Sequence, residues 1–230
     1  MRKPHIGSIV PVELPFQDRA EAGRLLGAEL VARKPGANTA VIALARGGLP
    51  IGAEVARALN APLDVIVVRK LGVPWQPELA MGAIAGSTRV LDRRVIRELR
   101  VSDEQVEAVI ARETEEMERR EKLYRRGLAP LDPAGRTVIL VDDGLATGST
   151  MVAAARHIRS AHPAKLIVAV PLGTPEACSR LRKEADECLC LALPRLFFSV
   201  GQWYTDFRQV SDAQVQAILR RSNTRVESAR

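Results

Sequence analysis

Apolar residues in this chain gather in short unbroken runs rather than in strict alternation with polar ones. Residues 39–45 form the first, rich in Val and Ile, followed at once by Arg46-Gly47-Gly48 and then by a helical pattern through Ala58. That order reads as strand, glycine turn, helix. Further runs fall at residues 64–69, 138–141, 166–170 and 188–193. Strands apolar on both faces and separated by helices predict a mostly parallel sheet covered on both sides. The expected fold is therefore α/β, with about five core strands, in one domain spanning residues 1–230 with its core near residues 36–193.

Two segments stand outside the alternation. Residues 72–100 carry Pro74, Trp75, Pro77 and several glycines with little periodicity, and predict a mobile loop with a short hairpin that leaves the sheet. Ser102 then opens a long charged helix to Arg126, with Gln105 in capping-box position. Its apolar residues Val106, Val109, Ile110, Met117 and Leu123 make only a narrow stripe, which predicts a half-exposed helix or one used against a second subunit, hence a homodimer. Residues 71–130 are thus an insertion, and residues 194–221 a small C-terminal hood.

Composition narrows the classes. An apolar content of 47% suits a well-filled core. The apolar stretch at residues 6–16 is broken by Pro11 and Pro15, so no secretory leader is read there, and no run is long enough to span a membrane. The expected location is the cytoplasm. Cys178, Cys188 and Cys190 are odd in number, which argues against a disulfide framework; Cys188 and Cys190 alternate along a strand and read as core thiols. His5, His157 and His162 form no ligand pattern. A formal charge of +7 favours anionic ligands, but an aromatic content of 3% offers few stacking platforms for RNA. Arg220, Arg221, Arg225 and Arg230 read as a solvated helix end.

The strongest chemical signal lies at residues 138–151. A buried strand ends in Asp142-Asp143, passes through a turn of small residues, and enters a helix at Ala146-Thr147-Gly148-Ser149-Thr150. Ligands of open α/β sheets bind beyond the carboxyl ends of the strands. A small-residue turn lets backbone N–H groups surround a phosphate, and the helix that follows presents its unpaired N–H groups and positive dipole end. Two carboxylates beside such a pocket repel phosphate, so they suit sugar hydroxyls or a divalent cation.

These residues resemble the signature of the type I phosphoribosyltransferases, which bind 5-phosphoribosyl 1-pyrophosphate (PRPP). The resemblance covers roughly residues 40–193. It implies the type I phosphoribosyltransferase fold, with Asp142 and Asp143 against the ribose 2′ and 3′ hydroxyls and Ala146, Thr147, Gly148, Ser149 and Thr150 around the 5′-phosphate. Arg46, Gly47 and Gly48 look like the loop that wraps the pyrophosphate, and Lys70 resembles a basic pyrophosphate contact. Hypoxanthine-guanine enzymes carry a third acid where this chain has Ala146, so acceptor deprotonation does not rest on that side chain. Their tail is similar to the one here. It implies Phe198 as a base-stacking ring and Asp206 as a Mg²⁺ ligand, although the spacing to the acid differs by one residue. Trp203 joins Phe198 as an acceptor candidate because five of the eight aromatic residues fall within residues 196–207.

The expected reaction is displacement of pyrophosphate from PRPP by a nitrogenous, nucleobase-like acceptor. Mg²⁺ is the implied cofactor, because the leaving group carries more charge than Arg46 and Lys70 offset. The partners are small molecules, not membrane or nucleic acid. The rival reading is a PRPP or nucleotide sensor of the same fold, and the retained Arg46-Gly47-Gly48 favours the enzyme.

Overall fold

A computed structural model describes residues 12–227, side chains from 225 onward excepted. His5, most of the 6–16 stretch and Arg230 lie outside the described residues, as do the side chain of Arg225 and its role. Five strands form a parallel sheet: β1 (Thr39–Leu44), β2 (Leu63–Ile66), β6 (Thr137–Val141), β7 (Lys165–Leu172) and β8 (Glu187–Ala192), in the order β2-β1-β6-β7-β8. The registers place Ala43 beside Val141 and Val141 beside Ala169, so β1, β6 and β7 end on one edge.

Strand residues alternate between two apolar layers, as the pleat requires. Val41, Ala43, Ile139, Val141, Ile167 and Ala169 face one layer. That layer is filled from α1 (Arg19–Ala32), α2 (Gly48–Leu59), α4 (Asp103–Arg125) and α7 (Asp212–Glu227). Ile42, Leu44, Val138, Leu140, Val168 and Val170 face the other, filled from α5 (Ser149–Ser160) and α6 (Pro175–Leu181). The five-stranded parallel sheet with helices on both faces is the architecture that the apolar runs predict.

The run at residues 64–69 divides between two sheets. After Ile66 the chain leaves the parallel sheet, and β3 (Val68–Val73) pairs antiparallel with β4 (Gln76–Ala85), which pairs with β5 (Thr88–Leu91). Residues 72–100 are thus mostly ordered sheet, closed by a short helix α3 (Arg93–Glu98), rather than a loop with one short hairpin. Two register irregularities flank Gly72, where a Cβ would collide with the Pro77 backbone. At the far end, the Gly86 turn lies against the His157 ring of α5, so closely that a Cβ there would overlap the imidazole. Burial lowers the pKa of His157, and its Nδ1 is enclosed without a partner among the described residues.

The capping box of Ser102 and Gln105 forms as its spacing predicts. The apolar stripe of α4 is covered by the chain's own β3 and α7, with Val106, Val109, Ile110 and Met117 buried, Leu123 half-buried against the same core and Tyr124 buried beside it. Two ion pairs fix this helix. Arg69 of β3 forks onto Glu113 through Nε at 2.9 Å and Nη2 at 2.6 Å, and Arg125 reaches Asp64 of β2 at 3.1 Å. The stripe that prompted the expectation of a dimer is therefore spent within one chain.

Candidate active site

The two glycine-bearing turns meet at the carboxyl edge of β1 and β6. Asp142 and Asp143 leave β6; Arg46 and Gly47 leave β1 after a cis Ala45–Arg46 peptide. Gly47 presses on Asp143 so closely that a Cβ would overlap Oδ2, and a Cβ on Gly48 would come within 2.8 Å of the Val141 carbonyl. Only bare backbone fits at either position. The supposed pyrophosphate loop and acidic pair, separated by nearly a hundred residues, thus share one site.

Next along the chain, Gly148 has φ of 75°, a left-handed conformation in which glycine starts α5 without strain. Thr147 Oγ1 donates to Ser149 Oγ at 3.3 Å and accepts from the Ser149 N–H at 3.4 Å. The neighbouring turn braces this loop, with Leu145 N–H donating to Leu172 O at 3.0 Å, Thr174 N–H to Leu145 O at 3.0 Å and Thr174 Oγ1 to Ala146 O at 2.9 Å. Ala146, Thr147, Gly148, Ser149 and Thr150 form the turn and the opening of the helix, as the sequence implies. Beneath the brace, Cys178 and Cys190 are buried free thiols with their sulfurs 3.3 Å apart.

The two acids differ in surroundings. Asp142 accepts the Asp143 N–H at 2.9 Å; burial, reinforced by the adjacent Asp143 charge, pushes its pKa well above 3.8. Burial raises Asp143 as well, against an opposing guanidinium. That guanidinium belongs to Arg19, the first residue of α1, which carries no signal in the sequence. Its Nε donates to Asp143 Oδ2 at 2.9 Å, its Nη2 lies 2.9 Å from the same oxygen, and its Nη1 donates to Arg208 O at 2.9 Å. The Phe207 ring lies 3.8 Å from the guanidinium carbon, within cation–π range.

Residues 194–210 close over this edge. Val200 packs on Gly144, and Tyr204 OH donates to Asp143 O at 2.7 Å. Phe16 exchanges backbone hydrogen bonds with this segment, its N–H donating to Trp203 O and its carbonyl accepting from Thr205 N–H. The hood is therefore built from both ends of the described chain. Trp203 packs into the aromatic cluster around Phe16 and Tyr204 with its indole N–H enclosed and without a partner among the described residues, whereas Phe198 is 86% exposed.

The outlying candidates are placed as follows. Arg46 Nη1 lies 3.4 Å from Asp212 Oδ1, which also accepts from Tyr124 OH at 2.8 Å. Lys70 is exposed on β3, in the small sheet rather than at the end of a core strand. Asp206 is engaged by Arg208, whose Nη2 lies 2.6 Å from Oδ2, so its carboxylate is already paired. Among the described residues no three metal-ligating side chains converge, and no helix is long and apolar enough to cross a membrane.

Comparison with known proteins identifies the family. Residues 17–203 match the phosphoribosyl transferase domain family. Two curated relatives from Mycobacterium tuberculosis, strains CDC 1551 and H37Rv, are each provisionally named a phosphoribosyl transferase and are 46% identical over 209 residues. The match covers 90% of this chain and 47% of theirs, so the chain spans about half the length of those relatives. The crystal structure of TT1426 from Thermus thermophilus is 41% identical, covers 89% of this chain and 97% of its own, and superposes with a TM-score of 0.75. With its acidic pair, small-residue turn and matched span of residues 17–203, this chain belongs to the phosphoribosyl transferase domain family.

Proposed function

We propose that the chain transfers the phosphoribosyl group of PRPP to a nitrogenous, nucleobase-like acceptor and releases pyrophosphate. The observation that carries this reading is the contact of Gly47 with Asp143, which joins a backbone cradle suited to a pyrophosphate with carboxylates suited to a ribose. The 5′-phosphate sits against the turn at Ala146, Thr147, Gly148, Ser149 and Thr150. Asp142 and Asp143 hold the ribose hydroxyls and favour positive charge as the bond at C1 lengthens. Arg46 and the N–H groups beside Gly47 and Gly48 receive the departing pyrophosphate, with Lys70 as a further cation.

Mg²⁺ suits this arrangement as a companion of the substrate. It keeps several waters and takes much of its coordination from substrate phosphates, and so needs no protein cage. Asp206 is the candidate protein ligand; the ion would supply charge neutralisation on the pyrophosphate. The acceptor stacks on Phe198, whose exposure leaves a ring face open, while Trp203 supports the hood from within.

The test is a screen of nucleobases and other nitrogenous acceptors with PRPP and Mg²⁺, reading pyrophosphate release. Release with at least one acceptor is expected, and Phe198→Ala should raise the KM for that acceptor about tenfold while the KM for PRPP stays constant. PRPP binding without release for any acceptor would turn the reading to a sensor. Failure to bind PRPP at all would sink both.

A further inference from the structure

Arg19 commits three nitrogens within the site, two to one oxygen of Asp143 and one to the Arg208 carbonyl, and its side chain is only 10% exposed. On the opposite side Gly47 closes on the same Oδ2. One oxygen of Asp143 is therefore enclosed between α1 and the β1 turn, while Oδ1 takes no part in the pair with Arg19. An isolated arginine held in this way is costly to desolvate, and a surface site would not require its burial. Phe207 against the guanidinium and Tyr204 on the Asp143 carbonyl tie the same group to the hood.

We infer that Arg19 is a positioning residue of the sugar site: it fixes the Asp143 carboxylate in one orientation, offsets the charge of the acidic pair, and leaves Oδ1 as the oxygen for a ribose hydroxyl. The inference rests on the phosphoribosyl-binding reading above. It gives the first turn of α1 a part in substrate binding, and ties the placement of the hood to the alignment of the carboxylate. The groups facing Asp143 are Arg19 from α1, Asp142 beside it in the chain and Tyr204 from the hood, with the Arg208–Asp206 pair beyond Arg19. Among the described residues, Arg19 is the only cation in direct contact with the Asp143 carboxyl.

Calorimetric titration with ribose 5-phosphate and with inorganic phosphate separates this role from simple scaffolding, for wild type, Arg19→Met and Arg19→Lys between about pH 5 and 8. Arg19→Met should weaken ribose 5-phosphate about tenfold at neutral pH and leave inorganic phosphate, which needs only the small-residue turn, unchanged. Its acid limb should move to higher pH, because Asp143 then holds its proton longer. Arg19→Lys should restore the position of that limb but not the full affinity, since a single ammonium cannot fork onto Oδ2. Should Arg19→Met fail to fold, the loss of ribose 5-phosphate affinity in Arg19→Lys with phosphate retained decides in favour. Wild-type affinity and pH profile in the variants, or equal loss of both ligands, would overturn the role of Arg19 alone. A wild-type protein that binds neither ligand would overturn the phosphoribosyl site itself, and this role with it.

Discussion

Asp142 and Asp143 are adjacent and chemically identical, yet removing their charges should have opposite effects on stability. Asp143 pairs directly with Arg19; for Asp142, burial and the like charge of Asp143 outweigh the Asp143 N–H it accepts and the more distant Arg19. Asp143→Asn leaves a nearly buried guanidinium without its anion and should cost about 2 kcal/mol in urea unfolding at pH 7.5. Asp142→Asn relieves a desolvated charge and should add on the order of 1 kcal/mol. The folded pKa of Asp142 is raised, so the unfolded chain gives up this proton first, from about pH 3.8 upward, and wild type loses stability as pH rises beyond it. The advantage of Asp142→Asn should accordingly shrink as pH is lowered toward 3.8, and an advantage independent of pH would refute the assignment. The acids themselves are legible in the sequence, because strand, paired carboxylates and small-residue turn are contiguous. Arg19 is not: it lies 124 residues from Asp143, and a single arginine at a helix start carries no local pattern.

At the scale of elements, continuous apolar runs announce every strand of the parallel sheet, but not where one of them changes partners. Residues 64–69 look like one strand because propensity reports an extended backbone and says nothing of which edge it pairs with. Likewise the stripe of α4 is as narrow as its spacing predicts, while its covering is hidden in β3 and α7, distant in sequence. The Arg69–Glu113 pair holds these pieces together across 44 residues, with Glu113 8% exposed. Arg69→Met should destabilise the protein by about 3 kcal/mol by stranding that carboxylate, although Arg112 at 3.1 Å tempers the loss. Arg69→Met combined with Glu113→Leu should recover most of it, since an apolar pair of similar volume replaces a buried ion pair at little cost. A double variant as unstable as the sum of the two single ones would show that the bond is not what anchors α4.

At the scale of the molecule, the hood is a joint product of distant segments. The concentration of aromatic residues in 196–207 is enough to predict a cap over the sheet edge. Its second half, Phe16, escapes a reading of the sequence because residues 6–16 have no periodicity of their own, and Phe16 is placed by its pairing with Tyr204. Phe16 is fully buried among Tyr204, Leu172 and Ala22. Phe16→Ala should therefore cost about 3–5 kcal/mol and weaken ribose 5-phosphate binding, though the residue touches no proposed ligand. Unfolding by denaturant and calorimetry of the same samples would check both effects. The opposite border of the site is governed by the seat of the Gly86 turn on His157. That seat gears the antiparallel sheet to α5, and α5 begins in the turn proposed to hold the 5′-phosphate, so the insertion cannot swing as a whole without dragging that turn along. What remains free is the hairpin end around Trp75 and Leu79, beyond the irregularity at Gly72. A cover for the bound sugar would then be a short flap on a fixed post, and its fulcrum would be a single glycine.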